Sequence, residues 1–193
     1  MYDPAHRHWL LTWTTYGTWL PGDDRGFVCT VRENTNEKWL RRNIPGMNYG
    51  RSMPGLKNAS QSRLKCPPIL LNSTQAGALL PQFQETADIR DWRILAVAIM
   101  RTHFHLLAGV INDVAPDRIL KDFKSYGSRA LSTRWGKPAS GTWWTESGSK
   151  RKKASYQSLV NAVRYVANQE HPLVVWIHPE WQHVLQGSDS ARG

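Results

Sequence analysis

Met100-Arg101-Thr102-His103-Phe104-His105-Leu106-Leu107 is the stretch on which the reading of this chain turns. It closes the apolar run Ile94 to Met100 and leads into Ala108-Gly109-Val110. Apolar and β-branched runs bounded by polar residues read as buried strands. The pattern predicts a strand over 92–100, a hairpin-short gap, and a second strand over 103–110. Side chains two apart on a strand share a face. His103 and His105 therefore stand together on one face, and Phe104 enters a core on the other. Two imidazoles on a rigid strand make half of a divalent-metal site. A bare His-x-His equally describes two satisfied histidines on a half-exposed strand, so the surrounding chain has to decide.

The 193 residues carry a formal net charge of +10 and ten tryptophans. That length suits one domain with a sizeable core. Cations suit phosphates and flat rings suit unstacked bases, a combination that points to single-stranded nucleic acid. More than half of the tryptophans are expected in the core. Cys29 and Cys66, the only two cysteines, have no spacing for a zinc site or a disulfide framework. Reduced thiols fit a cytoplasmic protein. Met1 to His8 hold no apolar signal core, and no run approaches the roughly 20 apolar residues of a membrane span.

Outward from the central hairpin, Trp9 to Tyr16 reads as a first strand. Residues 23–72 read as a long irregular basic insertion, with Arg32, Lys38, Arg41, Arg42, Arg51, Lys57, Arg63 and Lys65, either a clamp for DNA or a solvated surface loop. Ser73 or Thr74 caps a helix to about 90, with Ala76, Leu79, Leu80, Phe83 and Ala87 at helical spacing. Residues 113–116 open a second helix with Ile119, Leu120, Phe123, Tyr126, Leu131 and Trp135 as its buried stripe. Thr142-Trp143-Trp144-Thr145 reads as a fourth short strand, its tryptophans either both in the core, one on each side of a covered sheet, or one inward and the other free to stack a base. Residues 146–154 read as a turn holding Lys150, Arg151, Lys152 and Lys153. Ser155 caps a third helix running to about Glu170, stopped by Pro172. Leu173 to Ile177 is a last edge strand, and 187–193 a disordered tail. This order is the split βαβ, ferredoxin-like α+β plan over 1–186, with a four- to five-stranded antiparallel sheet and helices on one face.

On the third helix Tyr165 and Gln169 are four apart and share a face. The Gln169 oxygen can complete a His, His, oxygen set with open positions, which suits Mg²⁺ or Mn²⁺ bound partly through substrate phosphate. Tyr126 is a rival nucleophile in the basic neighbourhood of Lys121, Lys124 and Arg129. Its fourth neighbour, Ala130, cannot bind metal, and Tyr156 has Val160 there. Lys121, Lys124, Arg129 and the run Lys150 to Lys153 are candidate DNA contacts.

His103-Phe104-His105, followed by Tyr165 and Gln169, resembles the HUH single-tyrosine transposases, an IS200-like superfamily. Within it the chain is most similar to the REP-associated tyrosine transposases. Trp9-Leu10-Leu11-Thr12-Trp13-Thr14, Lys124-Ser125-Tyr126-Gly127-Ser128-Arg129 and Trp143-Trp144-Thr145-Glu146 add to the likeness. The resemblance implies a ferredoxin-like fold, a divalent metal at the two histidines, and a tyrosine that cleaves single-stranded DNA beside a hairpin through a 5′-phosphotyrosine. The enzyme would act as a monomer or homodimer. The other reading is a non-catalytic single-stranded nucleic-acid-binding module on the same fold. Such a module wants stacking aromatics where His103 and His105 stand, which favours the enzyme.

Overall fold

The computed structural model describes residues 6–25, 30–32, 39–41, 52–111 and 113–186. In chain order they form β1 (Arg7–Thr14), β2 (Thr30–Arg32), β3 (Trp39–Arg41), α1 (Pro54–Ser62), α2 (Ser73–Ile89), β4 (Trp92–Ile99) and β5 (His103–Val110). Then come α3 (Pro116–Trp135), β6 (Ser149–Lys153), α4 (Tyr156–Ala167), β7 (Val174–Ile177), a 3-10 turn and α5 (His183–Gln186). Five strands make one sheet in the order β6-β1-β5-β4-β7, with every neighbour antiparallel. With α2 and α3 as crossovers, β6-β1-β5-β4 is the split βαβ arrangement, and β7 extends it at the β4 edge.

Alternation along the strands sets the layers. Leu11, Trp13, Val97, Ile99, Phe104 and Leu106 pack with α2 and α3. Leu10, Ala96, Ala98 and Leu107 pack with Leu159, Val163 and Val166 of α4. The helices therefore cover both faces, not one as the sequence reading has it. The reason is chemical: β4 and β5 are apolar on both sides, and each side needs cover. A register shift between Ile94 and Ala96 turns Leu95 and Ala96 together onto the α4 side.

Two helices carry capping boxes. Asn72, not Ser73 or Thr74, accepts from the backbone of Gln75 to start α2, and Ser155 caps α4 with Ser158. α3 starts on Pro116 and stops at Gly136. Its buried stripe contains Gly127, where a Cβ would meet the Phe83 ring at 3.1 Å, while Tyr126 is half-buried and Trp135 is exposed.

Three further expectations change. Residues 142–145 form no strand; only Trp144 bridges Thr15, and Trp143 and Trp144 are both buried in the core. Their indole N–H groups donate to Ser132 Oγ and the Lys124 carbonyl. The fourth strand is β6, the basic run read as a turn. It is an edge strand, where lysines are at home. Residues 23–72 are not wholly irregular: Pro54 starts α1, and β2 pairs with β3. Cys29, Lys38, Arg42, Arg51 and the tail 187–193 lie outside the described residues, and no helix among those described is long and apolar enough to cross a membrane.

Candidate active site

β5 presents His103 and His105 on the α4 side, their ring centroids 5.0 Å apart and nearly perpendicular. Between them Phe104 points the other way and stacks on Trp13, centroids 4.9 Å apart. That packing fixes the strand from behind. A threonine holds each imidazole. Thr12 Oγ1 lies 2.8 Å from His105 Nδ1, and Thr102 Oγ1 lies 2.9 Å from His103 Nδ1. Thr12 is the direct partner of His105 across the β1–β5 ladder, so strand register supplies the contact.

α4 brings Tyr165 over this pair. Its hydroxyl is 3.3 Å from His105 Nε2, and the rings meet edge to face at 5.0 Å. Tyr165 is 49% exposed and His105 4%, so the phenol forms the wet wall and the imidazole the dry floor. α4 ends at Ala167, earlier than expected, yet Gln169 stays in place because its Nε2 donates to the Tyr165 carbonyl at 2.8 Å. An open cleft of about 700 Å³ is lined by His103, Asn161, Arg164, Tyr165, Gln169 and Glu170, with Met100 and Asn168.

Burial pushes the His105 imidazolium down to about 4, helped by the charge at His103 and opposed by a hydrogen bond with Gln169. Burial also lowers His103, and the positive charge of Arg25 adds to it. Both rings are therefore neutral near pH 7 with their Nδ1 atoms engaged, which directs Nε2 toward the cleft. Among the described residues no three His, Cys, Asp or Glu cluster to hold a metal. The Gln169 carboxamide, which hydrogen-bonds His105, is a candidate third ligand beside the histidines.

His103, His105, Tyr165 and Gln169 thus meet in one place. The basic candidates do not. Strand alternation divides the run on β6. Arg151 and Lys153 pair with Leu10 and His8 and share the histidine face; Lys150 and Lys152 pair with Leu11 and Trp9 on the other. Lys150 is bound there to Asp117 at 2.6 Å. Lys121, Lys124 and Arg129 sit on α3, across the sheet from Tyr165. Lys124 turns inward and donates to the carbonyls of Thr145, Glu146 and Ser147, holding the turn before β6. Arg129 and Arg90 lie over the ring of Tyr126, which α3 places across the sheet from the histidines. Thr12, Thr102, Arg25, Asn161 and Arg164 are site residues absent from the sequence reading. Strand register reveals Thr12, the α4 face Asn161 and Arg164, and turn contacts Thr102 and Arg25.

Comparison with known proteins follows the same lines. No curated protein matches the chain. Among solved structures, the fold is similar to a REP-associated tyrosine transposase bound to a REP hairpin, at 11% identity and TM-score 0.46, over 83% of this chain and 64% of that one. The chain thus spans less than two thirds of that transposase. A second similar structure is described as a transposase from Deinococcus radiodurans R1, at 16% identity and TM-score 0.42, over 86% of this chain and 92% of that one. Residues 69–169 match the family model of IS200-like transposases, a span that holds both histidines, Tyr165 and Gln169. By that match the chain belongs to the IS200-like transposase family.

Proposed function

We propose that the protein is a single-strand DNA endonuclease and strand transferase that works through a 5′-phosphotyrosine, with Tyr165 as nucleophile. The observation that carries this reading is the Tyr165 hydroxyl, 3.3 Å from His105 Nε2 on the wall of an open cleft. Family membership supports the reaction class. Tyr165 Oη gives up its proton to solvent as it attacks phosphorus and forms the new O–P bond; the P–O3′ bond breaks, and the departing 3′ oxygen takes up a proton from solvent. The phosphodiester energy is kept, so an incoming 3′-hydroxyl can reverse the step and rejoin strands.

The residues fit a divalent cation, Mg²⁺ or Mn²⁺. His103 and His105 would offer Nε2, each ring oriented by a threonine hydroxyl at Nδ1, and Gln169 would offer its oxygen. When bound, such a cation supplies charge neutralisation at the scissile phosphate. Arg151 and Lys153, on the histidine face, would hold strand or stem phosphates. Hairpin-flanked single strands are the substrate class that the likeness to REP-associated enzymes implies.

The test is cleavage of a pool of hairpins flanked by randomised single strands, with sequencing of the tyrosine-linked ends. The expected result is one short motif at the linked 5′ ends, adducts lost in Tyr165→Phe and kept in Tyr126→Phe. Adducts that persist in Tyr165→Phe would remove that tyrosine from the mechanism. DNA binding with no adduct under either metal would leave a binding module.

A further inference from the structure

The turn after β1 reaches Thr102, next to His103 at the edge of the cleft, and nothing above gives it a task. Thr15 N–H and Thr18 Oγ1 both donate to the Thr102 carbonyl, at 2.8 and 3.0 Å. Thr102 is the residue whose hydroxyl meets His103. Arg25 Nη2 in turn donates to the Thr18 carbonyl at 2.7 Å. Hydrogen bonds through Thr18 and Thr102 thus tie the Arg25 guanidinium to His103.

One side of that guanidinium is locked. Asp23 accepts from Arg25 Nε at 2.8 Å and from Nη2 at 2.9 Å, and also from the Arg25 backbone N–H at 3.0 Å. The Asp23 carboxylate is buried, whereas the Arg25 side chain is 59% exposed. Nη1 has no hydrogen-bond partner among the described residues.

The turn itself is clasped from behind by α1. Gly22 has φ +88, and a Cβ there would lie 2.5 Å from the Met53 oxygen and the Lys57 nitrogen. Met53 N–H donates to the Gly22 carbonyl at 3.1 Å, and Lys57 Nζ and Ser52 Oγ donate to the Asp24 carboxylate. An ordinary exposed ion pair contributes little and needs no such support. Here a buried acid and a helix hold an exposed arginine in one orientation. That is how planar donors are prepared for phosphate oxygens.

We propose that Arg25 is a phosphate-binding residue of the cleft, its Nη1 edge holding an oxygen of a phosphodiester that flanks the scissile one on the His103 side. This rests on the reading of the cleft as a single-strand site. It also gives the helical part of the segment after β1 a task, that of holding the turn that carries Arg25.

The test uses the full chain and a fluorescein-labelled hairpin with single-stranded oligothymidylate flanks. Binding is measured by anisotropy and adduct formation by gel, with the same strand also carrying one neutral methylphosphonate at each flank position in turn. Arg25→Gln should weaken binding about tenfold or more, the size of one charge-assisted hydrogen bond. It should lower the salt slope by about 0.7. At one flank position the methylphosphonate should weaken the wild type alike and add nothing to Arg25→Gln. Arg25→Lys should keep the salt slope and recover part of the affinity. Unchanged thermal melting of Arg25→Gln shows that folding is intact. If Arg25→Gln binds like wild type, or adds fully to every methylphosphonate, the proposal is overturned while the tyrosine chemistry stands. A wild type that binds without forming an adduct refutes that chemistry, and the binding cycle still decides Arg25. A chain that binds no strand overturns both.

Discussion

Phe104 is the residue through which the hydrophobic core and the candidate site are mechanically joined, and Phe104→Ala is the perturbation that shows it. The ring is fully buried and packs on Trp13 at 4.9 Å, Trp144 at 5.0 Å and Phe83 at 5.9 Å between centroids. Truncating a buried phenylalanine removes its transfer energy and leaves a cavity, together about 3–5 kcal/mol. Three aromatic partners lost at once place this site toward the upper end, since each such pair contributes about 0.5–1.5 kcal/mol beyond area. Domains of this kind are stable by only about 5–15 kcal/mol, so the variant should be close to unfolding at physiological temperature. Phe104→Leu keeps most of the volume and should cost about 1.5 kcal/mol or somewhat more. Urea unfolding followed by tryptophan fluorescence measures both, with the slope of the transition checked for constancy. A loss below about 1 kcal/mol for Phe104→Ala, at unchanged slope, would refute the claim that this ring anchors the strand.

Three other outcomes follow from the geometry. By calorimetry with Mn²⁺, His103→Ala and His105→Ala should each remove binding, and Gln169→Ala should weaken it least, because water can replace a carboxamide; full affinity in the double histidine variant would put the cation elsewhere. Acid sensitivity should come largely from His105, held down to about 4 by burial from an ordinary 6.5. Between those values the unfolded chain takes up the proton and the folded chain resists it. Stability is thus fully present above about pH 6.5 and falls by up to about 3 kcal/mol as pH drops toward 4. Urea midpoints across this window measure the loss, and an equal slope in His105→Gln would assign it to other groups. Replacing Arg151 and Lys153 together by Gln should lower the salt slope of single-strand binding by about 1.4, at about 0.7 per phosphate. The same change at Lys124 should leave it alone, and the reverse result would relocate the DNA to the α3 side.

Much of this was legible in the sequence for plain reasons. β5 spans His103–Val110 as its apolar run indicates, and the period of two puts both histidines on one face. The spacing of Tyr165 and Gln169 places them together, although Gln169 is held by a hydrogen bond to the Tyr165 carbonyl and not by helix. The rest depends on pairing that composition does not encode. Thr12 meets His105 only because the β1–β5 register sets them opposite. β6 was hidden because an edge strand made of lysine and arginine lacks the apolar alternation that marks a half-buried strand. An amphipathic stripe shows which side of α4 is buried, but not which face of the sheet receives it. Arg25 lies in a Gly, Pro and Asp-rich segment that reads as a turn, and its orientation comes from Asp23 and α1.

The basic run also bears on how two copies of the protein would meet. β6 pairs with β1 on one side, and no strand among the described residues pairs with its other side. Such edges recruit foreign strands and seed fibres. Two copies meeting antiparallel along β6 would set Lys150 to Lys153 of one against the same four cations of the other, and like charges placed directly opposite are destabilising. Like charges would thus oppose the pairing of two copies at this edge. The safeguard is electrostatic, so it weakens with salt: near 1 M the screening length shrinks to about 3 Å, shorter than the gap between paired strands. Concentrated stocks of this protein should therefore stay dispersed at moderate ionic strength and self-associate through β6 when the salt is raised.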